Sequence, residues 1–302
     1  MNPPQIAERM KASDFPKEVL TLFDQYVHGL IDRRAFMEGA SRFAVGGMSA
    51  ATMLEKLSPH YEWARHVPAG DPRIRDEFVT YSSPQGYGTV KGLMAWPTSG
   101  TAPFGSVLVI HENRGLNPYQ QDVVRRFAAA GFLALGPDAL TSLGGYPGTD
   151  EEGARMQSSL DGGKIFQDFL AGAHFLRTHA DSNGKVGAVG FCFGGGVVGR
   201  LAVAMGSQLA AGAPFYGAQP SAEDTAKIQA PLLIHYGSLD ARINAGWPAW
   251  EAALKAGGKT YTMHMYEGAN HGFHNDTTPR YDEAAAQLAQ QRTVDHFKKY
   301  LS

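Results

Sequence analysis

The sequence predicts an α/β fold, a doubly wound and mostly parallel sheet, preceded by an N-terminal helical extension. Three observations carry that prediction. From about residue 75 onward, short apolar runs alternate with stretches of helical periodicity, as strands do with crossover helices. The stretch 185–200, K-V-G-A-V-G-F-C-F-G-G-G-V-V-G-R, reads as a strand, a tight glycine-flanked turn at Cys192 and a helix of small residues. Glu112, Cys192, Asp240 and His271 each fall just after a predicted strand, where ligands sit in such sheets.

Residues 1–74 read as a helical extension and linker. Val19, Leu20, Leu22, Phe23, Tyr26, Val27 and Leu30 recur at helical spacing behind Asp14 and Pro16. A second run, Phe36, Met37, Ala40, Phe43, Ala44, Met48 and Ala51, makes the other arm of a hairpin broken at Gly29, with Asp32 as its cap. Stripes this apolar are expected to pack on the rest of the chain or on a second copy, as a homodimer through these helices. A rival reading stays open. Arg33-Arg34-Ala35-Phe36-Met37 resembles a twin-arginine export motif ahead of the uncharged stretch 43–54. Glu38 and Arg42 interrupt the apolar region such a signal needs, and no small-x-small cleavage site follows. A cytoplasmic location is expected, with export as the alternative. The stretch 58–72, holding Pro59, Pro68 and Pro72, is a linker on either reading.

Residues 75–302 read as one catalytic domain. Strands are expected at 77–81 and 90–96 around a polar turn, and 106–110 is a continuous apolar strand of the buried parallel kind. A helix at 118–130 leads to a strand at 132–135, and the glycine-rich loop 137–148 is expected to border a pocket. Ile165, Phe169, Ala173 and Leu176 mark a helix ahead of the Cys192 strand. Strands at 211–216 and 231–236, a helix at 248–256, a strand at 261–266 and a closing helix at 281–301 complete the alternation.

Composition agrees. The 302 residues are 43% hydrophobic and 19% charged, below the ~25% usual for globular domains, which suits one large core with both sheet faces covered. A net charge of −2 gives a nucleic-acid surface no support. Cys192 is the only cysteine, so no intramolecular disulfide exists. No apolar run reaches the ~20 residues of a membrane span.

The turn at Cys192 is the nucleophile turn of the α/β-hydrolase fold with cysteine in place of serine, and Asp240 and His271 follow in the chain order that fold requires. In that geometry His271 removes the Cys192 proton and Asp240 fixes its tautomer. A thioester would form and be split by a water that His271 activates. The backbone N–H groups of Phe193 and Asn113 would make the oxyanion hole. Plainer readings exist: Cys192 as a small buried hydrophobe, Asp240 as a turn former, His271 as a structural histidine, Glu112 in a surface ion pair. Their joint placement after strands favours the triad. His271 and His274 lack a carboxylate or cysteine at ligand spacing, so neither a metal nor another cofactor is expected.

With these residues in view, the chain resembles the dienelactone hydrolase family over about residues 75–302. The resemblance rests on H-E-N-R-G at 111–115, G-F-C-F-G-G-G at 190–196, G-S-L-D at 237–240 and N-H-G-F-H at 270–274. The N-terminal extension and G-G-Y-P-G at 144–148 resemble those of a bacterial subgroup. The resemblance implies a Cys192–Asp240–His271 triad acting on esters or lactones without a metal, with Glu112 touching the resting thiol and helping to form the thiolate. One departure concerns the substrate. Well-known members hold a carboxylate with two arginines, one shortly after the catalytic histidine, where this chain has His274-Asn275 and only later Arg280. Arg114, Tyr146, Arg155 and Tyr216 are the candidate pocket residues. The expected function is hydrolysis of a small-molecule ester or lactone. The alternatives are a thioesterase or broad carboxylesterase with the same triad, and a non-catalytic hydrolase-fold binding protein.

Overall fold

A computed structural model describes residues 9–44, 48–63 and 66–302. The N-terminal segment forms three helices: α1 (Lys17–Val27), α2 (Arg33–Ser41) and α3 (Ala50–Leu57). Asp32 caps α2 by accepting from the Ala35 N–H, as the sequence suggests. The second predicted arm, 36–51, is divided between α2 and α3, and part of it, 45–47, lies outside the described residues. α3 starts afresh because the Ser49 side chain accepts from the Thr52 N–H. The apolar stripes face one another: Phe15, Val19, Phe23, Phe36, Met53, Leu54 and Leu57 form a small core of their own. The linker that follows includes 64–65, also outside the described residues. Elsewhere it is tied to the larger unit, the Val67 N–H donating to Asp122 Oδ1 at 2.8 Å.

The remainder is an eight-stranded sheet. Its strands are β1 (Ile74–Ser83), β2 (Gly88–Pro97), β3 (Phe104–Ile110), β4 (Leu133–Pro137), β5 (Ser182–Phe191), β6 (Ala211–Phe215), β7 (Leu232–Gly237) and β8 (Tyr261–Tyr266). They lie in the order β1-β2-β4-β3-β5-β6-β7-β8. Only β1 with β2 and β2 with β4 pair antiparallel, so the sheet is mostly parallel, as predicted. The strand order reverses between β3 and β5, which opens a crevice at their carboxyl ends.

Helices α4 (Pro118–Ala129), α5 (Asp150–Ser158), α6 (Gly162–Thr178), α7 (Phe193–Met205), the single turns α8 (Ala222–Thr225) and α9 (Ala241–Asn244), α10 (Trp247–Ala256) and α11 (Glu283–Leu301) follow in chain order. Two cores cover the sheet. Phe169, Leu176, Val198, Leu201 and Trp250 fill one face, and Val123, Phe127, Phe297 and Leu301 fill the other. The predicted loop 137–148 holds a 3₁₀ turn at Thr141–Leu143 and leads into α5, a helix the sequence reading did not mark.

Candidate active site

β5 ends at Phe191, and Cys192 follows with φ 55°, ψ −112°, a strained setting for a residue with a side chain. Neighbouring glycines make this turn fit. A Cβ on Gly190 would stand 2.2 Å from Gly194 O, and one on Gly194 would stand 2.2 Å from Ile110 O. The turn is pinned by the Cys192 N–H donating to Phe215 O at 3.1 Å. Sγ thus stands at the start of α7, whose first N–H groups, Phe193 among them, point at the site.

Asp240 follows β7 and His271 follows β8. His271 Nδ1 meets Asp240 Oδ2 at 2.5 Å, with both side chains buried. The Tyr216 ring lies 4.9 Å from the His271 ring, and its hydroxyl is buried without a partner. His271 Nε2 is likewise buried without a hydrogen bond. One nitrogen of His271, one of His28 and Cys192 Sγ lie within 4.8 Å of one another. The hydrogen-bond contact to the sulfur is made by His28 Nε2, at 3.2 Å, with the direction set by the His28 tautomer. Sequence reasoning missed His28. Its local signal is faint, an Asp24/His28 pair four residues apart at the end of α1.

Electrostatics favour a thiolate. Burial pushes the Cys192 thiol up, but the charges of His28 and then His271 outweigh it and leave the thiol well below its usual range. Burial lowers His271, and the Cys192 charge and the Asp240 hydrogen bond more than reverse this. Arg242 Nη2 is 2.9 Å from His28 Nε2. A cation this near the ring repels a metal ion, so the His28–Cys192–His271 group is a poor home for one. His274, the other histidine of the motif, faces away, with Nδ1 at 2.7 Å from Tyr119 Oη and Nε2 at 3.2 Å from Gln290 Oε1.

The other sequence-predicted residues divide. Glu112 is buried after β3, and its Oε2 accepts from Asn275 Nδ2 at 3.1 Å. The contact with the resting thiol that the resemblance implies for Glu112 is made here by His28. Burial raises the Glu112 carboxyl, opposed chiefly by Arg114. The Asn113 side chain donates to Val27 O at 2.7 Å and so ties this loop to the end of α1. Arg114 is engaged by Asp150 at 2.9 Å, and the Tyr146 hydroxyl donates to the same carboxylate at 2.9 Å. Arg155 sits on the surface, paired with Glu152 at 2.7 Å, so it does not point at Sγ.

Two cavities border α1. One of about 1010 Å³ is lined by Asp24, Asp240, Arg242, His271 and Arg280 together with apolar residues of α1. Another of about 670 Å³ is lined by Val27, His28, Asn113, Arg114 and Asp150. Arg280 is buried over the Phe23 ring, and its Nε and Nη1 have no hydrogen-bond partner. No helix among the described residues is long and apolar enough to cross a membrane.

The dienelactone hydrolase family model matches residues 90–301, and a separate YqhI-like model matches residues 7–45. A putative hydrolase fragment, YghX, of Escherichia coli is 46% identical over 114 residues, 38% of this chain and 97% of the relative. A putative carboxymethylenebutenolidase of Synechocystis is 30% identical over 70% of this chain and 92% of its own. The crystal structure of a putative dienelactone hydrolase from Klebsiella pneumoniae superposes with a TM-score of 0.64 at 23% identity, covering 75% of this chain and all of its own. This last likeness concerns the fold.

Proposed function

The chain belongs to the dienelactone hydrolase family and is a hydrolase, and we propose that it cleaves carboxylic esters or lactones through Cys192, His271 and Asp240. The observation that carries this reading is the 2.5 Å Asp240–His271 contact beside a cysteine held at positive φ. Residues 75–302 form the catalytic domain in this reading, and residues 1–74 the extension that roofs it.

The Cys192 thiolate attacks the substrate carbonyl, and the oxygen that gains charge is met by the Phe193 and Asn113 N–H groups. As the tetrahedral centre collapses, the leaving alkoxide takes a proton from His271 and a thioester remains. His271, neutral again, draws a proton from water, the hydroxide splits the thioester, and the thiolate is restored. Asp240 holds the ring in the tautomer that both transfers need. Glu112, buried and coupled in charge to Cys192, tunes the sulfur without bonding to it.

The cavity suits an anionic substrate, because Arg242 and Arg280 both line it, and Arg280 makes no hydrogen bond through Nε or Nη1 beyond its 3.7 Å ion pair with Asp24. The name of the Synechocystis relative specifies a carboxylated butenolide, which supports the same class. Tyr216, fully buried and outside the lining of either cavity, packs behind the His271 ring instead of against a bound substrate. Cys192→Ala is expected to lose at least about a hundredfold in turnover of a chromogenic ester while keeping its fold, since triad members usually contribute ~10⁴ or more. Cys192→Ser should also fall strongly, because a hydroxyl is far harder to ionise than a thiol. Mass spectrometry of the quenched wild type should show the acyl group on Cys192. A Cys192→Ala protein that turns over normally would remove the reading.

A further inference from the structure

His28 touches the reacting sulfur from outside the hydrolase domain. It caps the C-terminal end of α1 and falls within residues 7–45, apart from the 90–301 that match the hydrolase family. Its Nδ1 lies 2.6 Å from Asp24 O and 3.3 Å from Asp24 Oδ1. A backbone carbonyl can only accept, so Nδ1 carries a hydrogen in every state and only Nε2 has a choice. Two groups compete for Nε2: Cys192 Sγ at 3.2 Å and Arg242 Nη2 at 2.9 Å. Arginine can only donate, so a bare Nε2 accepts from Arg242. A protonated Nε2 donates to Sγ, and Arg242 then turns to the Asp24 carboxylate, which its Nε already faces at 3.3 Å.

The charged and titratable groups around this ring come from every element packed on it. Asp24 belongs to α1, Cys192 to the β5–α7 turn and Arg242 to α9, and the His271 ring lies 4.7 Å away after β8. Arg280, before α11, reaches Asp24 Oδ1 at 3.7 Å. Asp24 stands under His28 as Asp240 stands under His271.

Taking Cys192 as the nucleophile, we propose that His28 is a second catalytic histidine, which takes the Cys192 proton in the resting enzyme and holds the sulfur as a thiolate for attack. The S–H bond breaks, an N–H bond forms at Nε2, and the electron pair stays on sulfur. His271 takes its own proton from solvent, gives it to the leaving alkoxide, and then accepts one from the attacking water. The energetics agree in direction. Burial, the largest influence, lowers His28, but the Cys192 charge and the hydrogen bonds to Asp24 and Cys192 raise it to about 10.

Cys192 is the only cysteine, so the ultraviolet absorbance of the thiolate, followed against pH on the full chain, reads this sulfur alone. In His28→Gln the midpoint should rise by about one unit or more. Below both midpoints that is a roughly tenfold loss of thiolate and of iodoacetamide alkylation rate, regained at higher pH. Asp24→Asn should shift the midpoint the same way by less. A midpoint equal to wild type in folded His28→Gln would overturn the proposal. Should His28→Gln fail to fold, an unmoved midpoint in Asp24→Asn overturns it alone. Cys192→Ala separates the two readings. A fully active Cys192→Ala removes the nucleophile and His28's role together, whereas an inactive one with an unmoved His28→Gln midpoint removes only the role of His28.

Discussion

At the scale of single residues, the site is held by what cannot be added as much as by what is present. A Cβ on Gly194 would lie 2.2 Å from Ile110 O and 2.7 Å from His111 O, both backbone atoms at the end of β3. Neither can yield without moving the loop that carries Glu112 and Asn113. Gly194→Ala should therefore cost about 1–3 kcal/mol of stability. It should lower kcat/KM by about a hundredfold, the effect of displacing reacting groups by about an ångström. Thermal melts and ester kinetics on the one variant test both. Glu112 makes a second residue-scale case. A glutamine there can still accept from Asn275, so Glu112→Gln should keep the fold and slow turnover. It should move the thiolate midpoint less than His28→Gln does, since His28 is the group bonded to the sulfur. A shift as large as that of His28→Gln would return the thiol-activating role to Glu112. The triad candidates were legible in the sequence because each follows its own strand within a local motif. His28 was not, because nothing local to α1 indicates which surface it meets.

At the scale of elements, the three N-terminal helices are joined to the catalytic domain by polar and cation–π contacts. Asn113 donates to Val27 O, Arg242 and Arg280 face Asp24, and Arg33 meets Glu151 at 3.1 Å. Their apolar stripes, expected from periodicity to cover the domain or a second copy, are used within the unit itself. Periodicity reports that a stripe is buried but not against what, which is why the partner was illegible. Deleting residues 1–57 should therefore leave a domain that still melts cooperatively, within a few degrees of the full chain. Its Cys192 should be alkylated faster at high pH, where access limits the rate, and more slowly at low pH, where His28 is missed. A truncated chain without a cooperative melt would show that the helices are part of the domain's core. The same helices hold Arg33-Arg34, and the export alternative would remove His28 with them. N-terminal sequencing of the protein from its native host should find the segment retained.

At the scale of the whole molecule, the sheet was readable because buried parallel strands write themselves as short apolar runs. The order β1-β2-β4-β3-β5-β6-β7-β8 then brings together the ends of β3, β5, β7 and β8, where the motif residues sit. That closure also buries histidines for structural ends. His274 lies between Tyr119 and Gln290, and His235 lies between Tyr266 Oη at 2.9 Å and Thr293 Oγ1 at 3.0 Å. Both are almost wholly inaccessible, at 1% and 0% exposure. Burial, with Arg126 next, pulls His274 down to about 3. Burial, with neighbouring His264 and His274, takes His235 well below its usual value. Unfolded, each would titrate near ~6.5. A histidine depressed in the folded state binds its proton more readily when unfolded. The stability linked to its neutral form is therefore complete above about pH 6.5 and is lost as pH falls toward the folded value. Each such histidine can contribute up to about 1.4 kcal/mol of destabilisation per pH unit in that window. The melting temperature should fall steadily from about pH 6.5 to about pH 4, and His274→Gln, which can still hydrogen-bond Tyr119, should make the slope shallower. An unchanged slope in that variant would mean that His274 is already protonated in the folded protein, with the Tyr119 hydroxyl as the acceptor of its Nδ1 hydrogen.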